Sequence, residues 1–205
     1  MVKYADGTSV SFTFDDGPDE TWTPCVLGEF ERLGVNATFF LVGSRVRLHP
    51  ELVSRTLAAG HEVQLHCHRH IRHTELTERE LECDTEQALE ALSRAGAQPT
   101  LWRTPWGVLS QASERVARSF GLRLVGWSID THDWRGDDPA AMLAAAMPDL
   151  PGGGSVLMHD ALGPGARRTG CENTVALLEG LTDAARAFGL RPAPLSGAGT
   201  LVAAR

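Results

Sequence analysis

Thr13-Phe14-Asp15-Asp16-Gly17-Pro18 is the stretch whose reading decides the fold. The alternation of Val10-Ser11-Phe12-Thr13-Phe14 before it predicts a short strand, and Gly17-Pro18 cannot continue one, so two adjacent carboxylates stand where a strand stops. Neighbouring side chains in a regular strand point to opposite faces. Asp15 and Asp16 therefore reach one site only if the backbone turns there, which Gly17 permits. Taken alone the stretch is a surface turn, because Asp-Gly and Gly-Pro are common turn pairs.

Working outward, Thr21 to Leu33 carries Trp22, Val26, Leu27, Phe30 and Leu33 at helical spacing, with Gly34 as a stop. Ala37 to Val42 is an apolar run of strand length and reads as a buried parallel strand. Pro50 to Ala59 predicts a short helix closed by Gly60, and His61-Glu62-Val63-Gln64-Leu65 alternates like a strand that delivers His66. Thr77 and Glu80 form a capping box for a helix ending near Ala95-Gly96. Thr100 to Arg103 is a strand, Gln111 to Phe120 a helix, and Leu122 to Ile129 a strand ending at Asp130. Asp138-Pro139 caps the Ala-rich helix through Met147. After the turn Pro151 to Gly154, Ser155 to Met158 is a strand presenting His159; Glu172 to Phe188 is the final helix and Leu190 to Leu195 a seventh strand. Strand and helix alternate throughout, which argues for an α/β fold on a parallel sheet, open or closed into a barrel.

The polar residues carry more than the elements do. Asp15 with Asp16, then His66, Arg103, Asp130 and His159, each fall at the C-terminal end of a different predicted strand, the edge on which α/β folds build their sites. Chance would scatter such residues over both ends. The pattern moves Asp15 and Asp16 from a turn to a site.

Composition narrows the classes. The 205 residues are enough for one sizeable core and show no internal boundary, so residues 1–205 are expected to form a single domain. Nineteen Lys and Arg against 26 Asp and Glu give a formal charge of -7 without a basic block, which argues against nucleic acid and anionic membrane as partners. Residues 1–7 lack the apolar core of a signal peptide and no apolar run approaches a membrane span, so a cytoplasmic protein is expected, or a secreted one if a signal has been removed. Cys25, Cys67, Cys83 and Cys171 are scattered without a Cys-x-x-Cys pair, which suggests free thiols.

His66 and His70 are four apart, a spacing that places two imidazoles on one face of a helical turn. With a carboxylate from Asp15-Asp16 they make a two-His, one-carboxylate set with open positions, a catalytic zinc pattern. His68 and His73 lie in the same stretch, so a polar surface loop or a different ligand pair is the alternative. Arg103 is either a surface arginine or a cation that orients a catalytic carboxylate. Asp130-Thr131-His132-Asp133-Trp134 offers two carboxylates and a Trp, with capping and core packing as alternatives; His159 at the end of an apolar strand is structural or catalytic.

Together and in this order, Thr13 to Pro18, His66-Cys67-His68-Arg69-His70, Arg103-Thr104-Pro105-Trp106-Gly107, Asp130 to Trp134 and Leu157-Met158-His159 resemble the five motifs of the polysaccharide deacetylase family, which shares the NodB-like catalytic domain of carbohydrate esterase family 4. The resemblance runs from Phe12 to about Gly189. It implies a distorted (β/α) barrel of about seven strands, related to the TIM barrel. It implies that Asp16, His66 and His70 hold a divalent metal, zinc first with cobalt or nickel as alternatives, and that Asp15 is the general base. The backbone N–H of Trp106 would help stabilise the oxyanion, His159 would be the general acid with Asp130 hydrogen-bonded to it, and Arg103 would keep Asp15 charged. Leu157 and Trp134 would line the acetyl pocket, and Gly163 to Arg168 is either a substrate loop or a plain linker.

The implied activity is hydrolysis of the acetyl amide of an N-acetylated sugar. The alternatives on the same scaffold are an acetyl ester of xylan, a small N-acyl metabolite, a cyclic imide, or carbohydrate binding without catalysis. Two positions depart from the family pattern. Trp106 stands where Tyr is common, and Cys67 stands where Ser or Thr supports the metal loop. A thiol is a weaker donor, so the loop is expected to be held differently, with Cys67 itself as an alternative ligand.

Overall fold

The computed structural model describes residues 2–4, 7–197 and 201–203. Its first strand, β1 (Val2–Tyr4), pairs antiparallel with the last, β10 (Leu201–Ala203), in a two-stranded ribbon. The remaining strands form one parallel sheet. In chain order the elements are β2 (Ser9–Asp15), α1 (Trp22–Leu33), β3 (Thr38–Val42), α2 (Gly43–Leu48), α3 (Pro50–Ala58), β4 (Glu62–Cys67) and α4 (Glu78–Arg94). There follow β5 (Leu101–Trp102), α5 (Gln111–Ser119), β6 (Arg123–Leu124), β7 (Ile129–Asp130), α6 (Pro139–Ala146), β8 (Gly154–His159), α7 (Glu172–Ala187) and β9 (Arg191–Pro192). The spatial order β6-β5-β4-β3-β2-β8-β7, with β9 beside the start of β2, curls into the distorted barrel implied by the motifs.

β2 is central because every residue in it is buried, which a strand covered on both faces requires. Phe12 and Phe14 face outward onto the helices: Phe14 stacks on Phe39 at 5.1 Å between centroids and meets Phe30 of α1 edge-on at 5.7 Å. Such burial is worth roughly 1.5–3 kcal/mol per side chain. Phe14→Ala would therefore cost about 3–5 kcal/mol and loosen the strand that carries Asp15. Thr13 and Asp15 alternate to the barrel interior, where Arg103 lies over the ring of Phe40 at 4.2 Å. The parallel register aligns Asp15 with His159 across β2 and β8, and Asp130 with Leu157 across β7 and β8. Sequence-distant polar residues thus arrive at one edge.

The local signals in the sequence carry through at the helices. The Thr77–Glu80 capping box starts α4, Asp138 caps α6 through Ala141 N–H at 2.9 Å, and Gly34 closes α1 in the left-handed region. Two expectations need correction and one helix was not expected. Leu122 to Ile129 is two short strands, β6 and β7, interrupted at Gly126 because its carbonyl accepts from the Arg103 guanidinium at 3.0 Å. The seventh predicted strand, Leu190 to Leu195, contracts to β9, after which Leu195–Gly197 turns in a 3-10 helix. α2 had no forecast; it follows β3 directly and buries only Gly43 and Val46, too little periodicity to announce itself. Among the described residues no helix is long and apolar enough to cross a membrane.

Candidate active site

The C-terminal strand edge opens into a pocket of about 260 Å³ lined by Asp15, Asp16, His66, His70, Trp106, Trp127, Asp130, Trp134, Leu157 and His159, and by residues of the 163–168 loop. That loop was open between substrate loop and linker; Gly163, Pro164, Gly165, Ala166 and Arg168 form one wall of the cavity.

Asp16 follows the last residue of β2 at φ 76°, a backbone region that Asp enters more readily than bulkier residues. The turn brings its carboxylate to His66 and His70. One oxygen and two imidazole nitrogens from these three residues lie within 4.8 Å of one another. Asp16 Oδ1 is 3.4 Å from His66 Nε2 and 3.1 Å from His70 Nε2, close enough for ion pairing but without hydrogen-bond geometry, so the buried Asp16 Oδ1 and His66 Nε2 are left unpartnered. Three potential ligand atoms converging, two of them buried without a partner, is an arrangement that a cation satisfies. His66 is prepared for it: Nδ1 lies 2.7 Å from the Arg103 carbonyl, which can only accept, so the ring proton sits on Nδ1 and Nε2 presents its lone pair. The residues fit a divalent metal.

The other histidines of the stretch go elsewhere. His73 is buried with Nδ1 2.9 Å from Ser113 Oγ, and the His68 ring packs over Gly43, where an added Cβ would come within 2.8 Å of Nδ1. Cys67 lies outside the ligand group. Burial pushes its thiol well above the usual range, and Asp84, Asp16 and Asp15 push it further, so it stays protonated and uncharged.

Arg103 is fully buried and its guanidinium is spent on three acceptors. Nη1 donates to Thr13 Oγ1 at 2.7 Å and to Asp15 Oδ1 at 2.9 Å, and Nη2 donates to Gly126 O. The Asp15 carboxylate is therefore fixed in direction as well as charge-paired.

His159 requires a correction. Its expected partner was Asp130, but Nδ1 lies 2.7 Å from Asp133 Oδ1, and its backbone N–H donates to Asp133 Oδ2 at 2.9 Å. Asp130 instead accepts from the His132 N–H two residues on, closing a local turn, while a 3-10 helix, Asp133–Arg135, swings Asp133 beneath His159. Arg168 Nη1 and Thr174 Oγ1 donate to Asp133 Oδ2 at 2.8 and 2.9 Å, so both carboxylate oxygens are engaged. Burial alone would lower the His159 pKa. The Asp133 carboxylate outweighs it, with Asp16 and Asp15 adding, and the imidazole is raised to about 9. Burial would likewise raise the Asp133 pKa, but His159 and Arg168 hold it below the usual range.

Trp106 stands at the pocket mouth at φ 53°, a strained position for a bulky side chain, with its ring edge-on to His70 at 4.2 Å. Trp134 and Leu157 line the pocket as expected. Four contributors have no role of their own in the sequence reading: Asp133 and Arg168, Trp127 in the pocket wall, and Asp160 beneath Gly17. The Asp160 carboxyl accepts from Thr23 Oγ1 at 2.5 Å, and burial pushes its pKa up to about 7. A Cβ on Gly17 would come within 2.5 Å of it, which explains the glycine. The Asp133-Trp134 pair was visible as a motif, but nothing in the sequence indicates which of two aspartates turns inward.

Comparison with known proteins places this geometry. The profile of the polysaccharide deacetylase family matches residues 3–125. A chitooligosaccharide deacetylase of a Bradyrhizobium strain is 34% identical over 91% of this chain and 89% of its own. A peptidoglycan-N-acetylglucosamine deacetylase of Listeria monocytogenes is 36% identical over 74% of this chain, which spans about a third (32%) of that relative's length. Among solved structures, a family 4 carbohydrate esterase from Streptomyces lividans, in complex with acetate, superposes with a TM-score of 0.81 at 28% identity, covering 91% of each chain.

Proposed function

Because the chain belongs to the polysaccharide deacetylase family, we propose that it is a divalent-metal-dependent hydrolase removing acetyl from the nitrogen of an N-acetylated sugar, as one catalytic domain. The observation that carries the proposal is the meeting of three functional groups at one pocket. These are the unpartnered Asp16-His66-His70 cluster, the Arg103-Asp15 ion pair, and the Asp133-His159 pair.

Asp16, His66 and His70 would hold a divalent cation, zinc first, which when bound would supply Lewis-acid polarisation of a carbonyl and of water. Asp15, aimed by Arg103, is the base that takes a proton from the attacking water. On collapse of the tetrahedral species the amine nitrogen needs a proton, since an amide anion is a poor leaving group. His159, held protonated near neutral pH by Asp133, donates it. Trp106, Trp134 and Leu157 enclose the acetyl group and the sugar ring, and Arg168 acts at one remove by fixing Asp133.

Cleavage of an acetyl ester is the second reading, favoured by the likeness to the Streptomyces lividans esterase. An alkoxide leaves with less help than an amine, so the raised basicity of His159 supports the amide. The test is metal analysis of the purified protein together with amine or acetate release from chitooligosaccharides, free N-acetylglucosamine, peptidoglycan fragments and acetylated xylan. Amine release that depends on bound metal is expected. Acetate from xylan alone would select the ester reading, and no stoichiometric metal after reconstitution would overturn the site.

A further inference from the structure

The loop that carries His66 and His70 is held by a residue outside every motif named above. Cys67 occupies the position from which a hydroxyl would support the loop, and among the described residues its sulfur makes no hydrogen bond. Asp84, seven residues beyond the Thr77 cap of α4, supplies the support instead. It is buried on the same helix face as Leu81, Thr85 and Ala88. Its Oδ2 accepts the His68 N–H at 2.8 Å and its Oδ1 accepts the Arg69 N–H at 3.0 Å. Each oxygen thus fixes one of two consecutive backbone amides lying between the two histidines. Arg69 Nε adds a 3.2 Å contact, but that side chain is more than half exposed and its charge is screened. The loop is also tied at the His68 carbonyl, which accepts from Ser44 N–H at 3.3 Å.

We infer that Asp84 is a positioning residue for the metal centre: its carboxylate sets the backbone of residues 68–69 and so the distance between His66 Nε2 and His70 Nε2. His66 has its own restraint in the Arg103 carbonyl, whereas the His70 ring has no hydrogen bond to a fixed group among the described residues and, apart from its edge-on contact with Trp106, depends on the backbone before it. Removing the carboxylate leaves the buried His68 N–H and the part-buried Arg69 N–H without their acceptor, and the loop must move to satisfy the buried one. The inference rests on the proposed metal-dependent function.

Asp84→Asn replaces one acceptor by an NH2 group facing an N–H. Outer-shell partners of metal ligands are typically worth about 10–100-fold in affinity. The test is zinc affinity by competition with a chromophoric chelator, on wild type, Asp84→Asn and Leu81→Ala, each confirmed folded by circular dichroism. Leu81 is buried one turn earlier on α4 and has no hydrogen bond to the loop, so its truncation costs stability without freeing residues 68–69. The expected result is zinc binding weakened about tenfold or more in Asp84→Asn and unchanged within about twofold in Leu81→Ala. Equal weakening in both variants would reduce Asp84 to a stability residue and overturn the inference. Unchanged affinity in Asp84→Asn would overturn it while leaving the metal site intact. A wild type that takes up no zinc would remove the inference together with the function it rests on.

Discussion

His159 Nδ1 and Asp133 Oδ1 are 2.7 Å apart, and a second oxygen of the same carboxylate accepts the His159 backbone N–H. One residue therefore sets both the basicity of the imidazole and its orientation, which points the other ring nitrogen into the pocket. The consequence is a pH signature. With Asp133 in place the imidazole stays protonated up to about pH 9. In Asp133→Asn the raising charge is gone while burial, which lowers the pKa, remains. The basic limb of the kcat profile should move to lower pH by a unit or more, with turnover at pH 8 falling about twofold for a shift of one unit and about tenfold for a shift of two. Asp130→Asn should leave the limb where it is. A pH–rate profile of both variants on a soluble N-acetylated substrate decides it, and a shift confined to Asp130→Asn would reinstate the sequence expectation.

The same pair makes stability pH-dependent in the metal-free protein. The folded-state pKa of His159 lies above the unfolded value of about 6.5, so its contribution is fully present below about pH 6.5 and is lost as pH rises through about 9. Denaturant midpoints of metal-free wild type should fall across that window, and fall less in His159→Gln. Parallel curves for the two proteins would contradict the raised pKa.

Much of this site was legible in the sequence because strand ends are legible. An apolar run that stops at a polar residue marks both the strand and the edge where the residue emerges, which located Asp15, Asp16, His66, Arg103 and His159 without any contact information. The unforeseen residues are those whose position depends on a loop path. Asp130 and Asp133 are three apart at and just beyond the end of the predicted strand, and only the turn at His132 (φ 55°) decides which one meets His159. Arg168 acts from a loop on the Asp133 carboxylate and Asp84 from a helix face on two backbone N–H groups, and neither a loop path nor a backbone N–H leaves a trace in the sequence. The break in the predicted strand at Gly126 has the same origin, since its carbonyl turns toward a buried guanidinium 23 residues earlier.

Arg103 and Asp15 form a buried pair in which neither partner is replaceable by charge alone. Asp15→Asn keeps the shape and should retain zinc binding while losing roughly 100- to 10,000-fold in turnover. Arg103→Lys keeps the charge but cannot reach Thr13 Oγ1, Asp15 Oδ1 and Gly126 O together, and should lose stability as well, on the order of 3 kcal/mol. Zinc titration, kcat and thermal melts of both variants separate the two effects. Loss of zinc binding in Asp15→Asn would assign that carboxylate to the metal instead.

Gly163 and Asp16 test how tightly the pocket wall closes on the metal ligands. A Cβ at residue 163 would lie 1.9 Å from Asp16 Oδ2, far inside contact distance, so the 163–168 loop approaches the carboxylate only because this residue has no side chain. Gly163→Ala must displace either the loop or Asp16. If Asp16 moves, its oxygen leaves the two imidazole nitrogens and zinc affinity falls about tenfold or more; if the loop moves, the pocket wall shifts and KM rises with affinity unchanged. Gly165 provides the control on the same loop. Its φ of 92° makes an alanine strained there too, but an added Cβ meets nothing within 4 Å. Gly165→Ala should therefore cost a little stability and leave zinc affinity alone. Measuring zinc Kd and substrate KM for both variants distinguishes the cases, and a Gly163→Ala protein with wild-type values for both would mean that the wall does not close on Asp16.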